Sequence, residues 1–176
     1  MSGQAQQVLE AEHPVIDPAV LRRVLGRFAT GVAVIAADTP TNGLIGMTVS
    51  SFNTVSLDPP LVLFSVARKA FGLSPLLKSA SFSVNILGLE HVEVSNRFAR
   101  AGADKWADTA FQLADTGTPV LEGAIAAFEC AHYAQYDGGD HVIVLGRVLS
   151  LHCRHEIQAD PLLFYCGRYH AVGNPL

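Results

Sequence analysis

Gly43-Leu-Ile-Gly-Met-Thr-Val-Ser-Ser-Phe-Asn-Thr-Val-Ser-Leu-Asp-Pro-Pro-Leu-Val-Leu-Phe-Ser-Val-Ala-Arg-Lys-Ala-Phe71 is the stretch whose reading decides the fold. It holds two apolar arms, residues 44–49 and 61–66. The first arm runs into Thr48, Ser50 and Ser51; the second carries Ser65, with Arg68 and Lys69 just beyond. Asp58-Pro59-Pro60 lies between them. Proline fixes φ and lacks an N–H, so this tripeptide stops one strand and aims the next. If the arms are neighbouring strands, hydroxyls, backbone N–H groups and two cations converge at one rim. Such a rim suits a flat phosphorylated ligand, since cations give phosphate charge-assisted bonds and short hydroxyls give it neutral ones.

Outward from this stretch, Asp17-Pro18 reads as a helix start, with Asp as the cap and Pro in the first turn. Val20, Leu21, Val24, Leu25 and Phe28 recur at helical spacing, Arg22, Arg23 and Arg27 take the other face, and Gly31 closes the helix. Residues 31–37 are nearly all apolar and predict a strand buried on both sides. A turn follows at 39–43. Beyond the two arms come a loop with a short helix at 69–77, a strand at 81–87 and a helix at 90–98. Residues 100–117 mix Gly, Asp and Ala around Trp106 and read as a mobile segment able to fold over a ligand. Strands at 125–136 and 141–151 flank Asp137-Gly-Gly-Asp140, a hairpin signal. The last strand is 162–166. About seven strands in succession, with three short helices, predict a mainly β fold: an antiparallel sheet closed into a barrel, not a doubly wound α/β fold. Residues 1–13 read as a flexible polar arm, and 14–176 as a single domain.

Composition narrows the function. The chain is 49% hydrophobic and only 16% charged, rich for a monomer, which predicts apolar surface covered by a second subunit. A formal charge of −4, with Lys and Arg scattered, argues against nucleic acid as a partner. No apolar run is long enough to span a membrane. The first twenty residues hold no Lys or Arg and do not read as a secretory signal. Cys130, Cys153 and Cys166 are odd in number and far apart, which fits small core residues in a reducing cytoplasm better than a disulfide framework.

Several motifs are missing. The sequence has no Gly-x-Gly, no Gly-Lys-Ser/Thr and no Gly-x-Ser-x-Gly, so any nucleotide must be held by strand ends and turns rather than a glycine loop. Cys130 with His132, and His152, Cys153 and His155, are residue types that zinc accepts. Adjacent strand residues point to opposite faces and no Cys-x-x-Cys occurs, so no metal site is expected. On pattern alone Thr48, Ser50 and Ser51 read equally as an ordinary strand end, Phe71 as core, and His141 as a turn cap. Asn85, inside an apolar strand, needs partners: it serves a ligand or ties two strands together.

Gly46-Met-Thr-Val-Ser-Ser-Phe52 followed by Val55-Ser-Leu-Asp-Pro-Pro-Leu-Val-Leu63 resembles the signature of the flavin reductase-like family, the short reductases that serve two-component flavin monooxygenases. Arg27-Phe-Ala-Thr-Gly-Val32, Phe82-Ser-Val-Asn-Ile-Leu87, Ser95-Asn-Arg-Phe-Ala99, Gly139-Asp-His141 and Pro161-Leu-Leu-Phe-Tyr165 match in the same order. The resemblance covers roughly residues 18–172. It implies a split β-barrel of Greek-key antiparallel type, a homodimer, and NAD(P)H-dependent reduction of FMN or FAD for a partner monooxygenase. By the same resemblance Met47, Thr48, Val49, Ser50, Ser51, Ser65, Val66 and Ala67 line the flavin. Arg68 and Lys69 meet its phosphate, Phe71, Asn85 and Phe98 flank it, His141 contacts the nicotinamide or flavin edge as the catalytic residue, and Tyr169 shields the site. Two alternatives stay open: a flavin protein reducing a corrinoid or an iron chelate, and one that binds flavin or haem without turnover.

Overall fold

The computed structural model describes residues 15–102, 104–153 and 160–174. The expected N-terminal arm, residues 1–13, lies outside them, as does His155. Helix α1 (Pro18–Leu25) starts as predicted, with Ala19 N donating to Asp17 Oδ1 at 2.8 Å. It ends earlier than expected, at Gly26, and the chain then forms the short strand β1 (Thr30–Gly31).

Strands β2 (Ala33–Thr39), β3 (Gly43–Val49), β4 (Asn53–Leu57), β5 (Pro60–Ala67), β6 (Ser81–Ile86), β9 (Ala126–Gly138) and β10 (His141–Cys153) form one antiparallel sheet in the order β3-β2-β6-β9-β10-β5-β4. Helix α2 (Leu73–Lys78) follows β5, and a 3₁₀ turn (Leu89–His91) leads into α3 (Val92–Ala99). β7 (Phe111–Leu113) pairs with β8 (Pro119–Leu121), while β11 (Leu163–Tyr165) sits between β1 and β12 (Arg168–His170).

The fold class agrees with the sequence reading, with two differences. The last expected strand joins the small β1-β11-β12 sheet rather than the main one, whose seventh member is β4. The two apolar arms, β3 and β5, are not hydrogen-bonded neighbours either; they lie toward opposite ends of the strand order. Closure of the barrel brings them together. Ser51 Oγ donates to Ser65 O at 3.0 Å and accepts from Ser65 N at 2.9 Å, so one side chain stands in for a strand-to-strand ladder. Two irregularities in the β9–β10 pairing, at Leu145/Gly146 and Val148/Ser150, bend the long hairpin around the core.

β2 is apolar on both faces because it divides two cores. Ala33, Ile35 and Ala37 pack with Phe64, Phe82 and Val144 inside the barrel. Val34 and Ala36 pack with Leu87, Phe98 and Leu162 beneath α3. Alternate side chains of one strand thereby fix the barrel and the helix that flanks its mouth. α1 is different: none of its residues is buried, and Val24, Leu25 and Phe28 face outward, Phe28 at 76% exposure.

Candidate functional site

β3 is an edge strand, bonded to β2 alone. In an antiparallel ladder the backbone groups of alternate residues point away from the partner. Gly46 O points away, since it accepts from Lys105 Nζ at 3.0 Å, so the backbone groups of Thr48 share that outward direction.

This edge floors a groove of about 780 Å³. Ser65, Val66, Ala67 and Phe71 form one wall, Phe98 and residues 99–102 and 104–106 the other, and His141 stands at the rim. A volume of this order is that of a pocket for a small ligand or cofactor.

The predicted residues Met47, Thr48, Val49, Ser50, Ser51, Ser65, Val66, Ala67, Phe71, Phe98 and His141 all line this groove. Two of the hydroxyls are engaged: Thr48 Oγ1 donates to Ser95 O at 2.7 Å, and Ser51 Oγ bridges to β5. The Ser50 and Ser65 hydroxyls have no side-chain partner among the described residues, so they remain for a ligand. Phe71 is 84% exposed and is not the core residue that its pattern allowed.

Four of the predicted residues lie outside the groove lining. Asn85 does not reach the groove. It is fully buried, donating from Nδ2 to Val34 O (3.2 Å) and Ser83 Oγ (2.9 Å) and accepting from Leu121 N (2.9 Å). It ties strands together, because a buried amide in a packed sheet is stable only with its partners made. Arg68 is drawn from the wall to the hairpin turn: its Nε donates to Gly139 O at 2.8 Å and its guanidinium pairs with Asp137 at 3.1 Å. Lys69 is likewise absent from the lining. Tyr169 sits behind the wall, its hydroxyl bonded to Ser95 Oγ at 2.8 Å and its ring against Phe164. It braces α3, whose Ser95 carbonyl holds Thr48.

His141 opens β10, beside the Gly139-Asp140 turn, where Gly139 adopts φ 73°. Its Nδ1 lies 2.6 Å from Asp140 Oδ1. That hydrogen bond, with the imidazole charge second, holds the Asp140 carboxyl below its ordinary range. Opposite an ionised carboxylate Nδ1 carries the proton, leaving Nε2 as acceptor when the ring is neutral and donor when it is charged. Arg68, by gripping Asp137 and Gly139, steadies the turn that carries this histidine.

The individual roles of Arg100, Lys105 and Trp106 were not foreseen, although the segment 100–117 was. Lys105 Nζ bonds both Gly46 O and Phe98 O at 3.0 Å, and burial pulls its ammonium below the usual lysine range. Trp106 packs edge-on against Phe98 (4.9 Å) and Phe111 (5.0 Å), and its Nε1 is buried without a partner. Nothing in local periodicity marks these residues, because the contacts that place them are tertiary. Among the described residues no three His, Cys, Asp or Glu side chains come together as a metal site, and no helix is long and apolar enough to cross a membrane.

A split antiparallel barrel whose edge strand floors an open groove, rimmed with hydroxyls, main-chain donors and a carboxylate-paired histidine, defines a barrel that binds flat, polar-edged ligands without a glycine loop. Residues 25–173 match the family of flavin reductase like domains. An FMN reductase (NADH) of Agrobacterium fabrum is 42% identical over 148 residues, covering 84% of this chain and 82% of that protein. The reductase subunit of a flavin-dependent monooxygenase from Mycobacterium tuberculosis is 38% identical over 160 residues, covering 89% and 83%. The solved structure of a Streptomyces globisporus NADH:FAD oxidoreductase, in complex with NAD and FAD fragments, superposes with a TM-score of 0.83 at 34% identity, over 92% of this chain and 98% of that one. The chain belongs to the flavin reductase like family.

Proposed function

We propose that the chain transfers hydride from NADH or NADPH to FMN or FAD seated in the groove, and that the reduced flavin passes to a flavin-dependent monooxygenase. The observation that carries this reading is the convergence of the β3 edge, the Ser50 and Ser65 hydroxyls and His141 on one groove of a flavin reductase like chain. The residues fit the group: the groove has the right size, its free hydroxyls lack partners, and Trp106 offers an unbonded N–H. Bound there, the flavin supplies the hydride-accepting ring and the nicotinamide the hydride.

The chain's own residues orient and shield. Outward N–H groups of β3 and the Ser50 and Ser65 hydroxyls offer fixed donors to an electron-rich ring edge, where preorganised donors favour developing charge. Val66, Phe71 and Phe98 exclude water from the same space. His141 Nε2, with Nδ1 held by Asp140, bonds the carboxamide or ring edge. No protein nucleophile is required.

Flavin-stimulated oxidation of NADH or NADPH tests the reading. The wild type should oxidise the coenzyme slowly alone and rapidly with FMN or FAD. His141→Ala should lower kcat/KM about tenfold, the worth of one hydrogen bond to a polar reacting group. Oxidation that no flavin stimulates would sink the assignment.

We further propose a homodimer that uses α1. An amphipathic helix with every apolar residue exposed is unstable in water unless covered, and a second copy is the covering that the 49% apolar composition suggests. Light scattering should give about twice 18.8 kDa, and Leu25→Glu should halve it. A wild type of single-chain mass would remove this proposal.

A further inference from the structure

Several cations lie near the groove, and the structure separates them by what they already hold. Arg68 is bonded to Asp137 and Gly139 O and lies off the wall. Arg97 donates to Thr109 Oγ1 at 2.9 Å. Lys105 has its ammonium between two carbonyls and is half-buried. Arg100 alone, among the described cations lining the groove, has a side chain with no partner.

Its position is nonetheless fixed. Arg100 caps the C-terminus of α3, and Lys105 grips the carbonyl of Phe98 two residues before it. The base of the side chain is anchored while the guanidinium stays open to the groove mouth. A carboxylate, Asp104, lies on the same wall but is turned to the backbone rather than paired with Arg100. Asp104 Oδ1 accepts from the backbone N–H groups of Trp106 and Ala107, both at 3.2 Å, and so is engaged in its own turn.

Arg100 lines the same groove as the hydroxyl rim at residues 48–51, so a ligand seated on that rim has this cation within the walls that enclose it.

We propose that Arg100 is the anion-recognising residue of this groove, taking the phosphate of a nucleotide whose ring lies at the Thr48–Ser50 rim. The proposal rests on the flavin reading above and replaces the expected phosphate contacts of Arg68 and Lys69. The guanidinium presents a planar fork of donors to phosphate oxygens, a geometry that lysine does not reproduce. The phosphate belongs either to the flavin or to the nicotinamide coenzyme, and the test separates the two.

FMN and riboflavin differ only in the phosphate. For the wild type the KM for FMN should lie well below that for riboflavin. Arg100→Gln should raise the KM ratio of FMN to riboflavin about tenfold, the loss expected for a charge-assisted bond, and Arg100→Lys should restore part of it. The FMN preference should also shrink with added salt. If the KM for NADH rises instead while the ratio holds, the phosphate is the coenzyme's and the anion role stands. If neither moves, or FMN and riboflavin weaken alike, Arg100 does not read phosphate and the proposal is overturned. Flavin fluorescence titration of the same variants gives the FMN-to-riboflavin affinity ratio without turnover. Failure of the reductase reading, seen as a wild type that no flavin stimulates, is thereby distinct from failure at Arg100. A wild type that binds FMN no better than riboflavin, with no response of NADH binding at Arg100→Gln, also overturns it.

Discussion

Gly46→Val should destabilise the protein by about 2–3 kcal/mol, roughly 4–12 °C in Tm, and weaken flavin binding at the same time. Gly46 lies mid-strand in β3, opposite Ala36. A Cβ built on it would collide with Cε1 and Cδ1 of the Phe98 ring and would come within 3.2 Å of Trp106 Cζ2. Phe98 has little room to yield. It is buried against Val34, Leu87 and Leu162, and Trp106 meets its ring edge-on. Pushing it aside also strains Lys105, which bonds the carbonyls of both Gly46 and Phe98. The groove wall and the core beneath α3 therefore respond together. Gly31 is the control, because a Cβ there meets nothing within 4 Å; Gly31→Ala should change stability by less than about 0.5 kcal/mol. Thermal melts and flavin titration of the two variants check this. A Gly46→Val protein with wild-type Tm and wild-type flavin affinity would show that Phe98 is free to move and that the wall is not rigid.

How much of this was legible depended on how local the determining interaction is. The β9–β10 hairpin was readable because Asp137-Gly-Gly-Asp140 is a turn in its own right; the structure turns there, with Asp137 Oδ1 accepting from Gly139 N at 2.8 Å. The β3 rim was readable because hydroxyls at the end of an apolar run mark a strand leaving a core. What joins β3 to β5 was not, because they are distant in the sheet order and meet through core packing and the hydrogen bonds of Ser51, both of which are tertiary. β4 escaped notice because its residues, unlike the apolar arms, are largely exposed. For Arg68 the sequence shows a charge but not what pairs with it; in the structure that partner is Asp137, far along the chain. Asn85 shows the same limit. Its apolar surroundings announced that it must be bonded, but Leu121 N, its acceptor's partner, is supplied by a strand 36 residues away.

Glu129 carries the second large effect, and it lies away from the groove. The residue is 1% exposed, an unusual place for a carboxylate. Burial by itself would raise its pKa. Hydrogen bonds from the Thr116 hydroxyl, from His152 Nε2 (2.7 Å) and from Thr116 N (3.1 Å) outweigh that, so the group titrates below the usual glutamate range. The carboxylate thus ties the 114–118 turn and the end of β10 to β9. Glu129→Ala leaves the Thr116 donors without their acceptor and opens a void, and should cost about 3 kcal/mol, roughly 6–12 °C in Tm. Glu129→Gln keeps the shape and part of the bonding and should cost about half as much. The pH dependence has a definite sign. A carboxyl whose folded pKa is depressed adds stability that is fully present above the unfolded value, about 4.3, and that disappears as pH falls through the lower folded value. Asp137 and Asp140 are also held low, Asp137 by the Gly139 N–H and then Arg68, Asp140 by His141, so the wild-type slope is shared. The difference between wild type and Glu129→Gln isolates the buried group: the gap in Tm should be widest near neutral pH and should narrow below about pH 4. A gap that stays constant across this range would mean that Glu129 is protonated in the folded protein, and that the Thr116 and His152 bonds do not hold a charge.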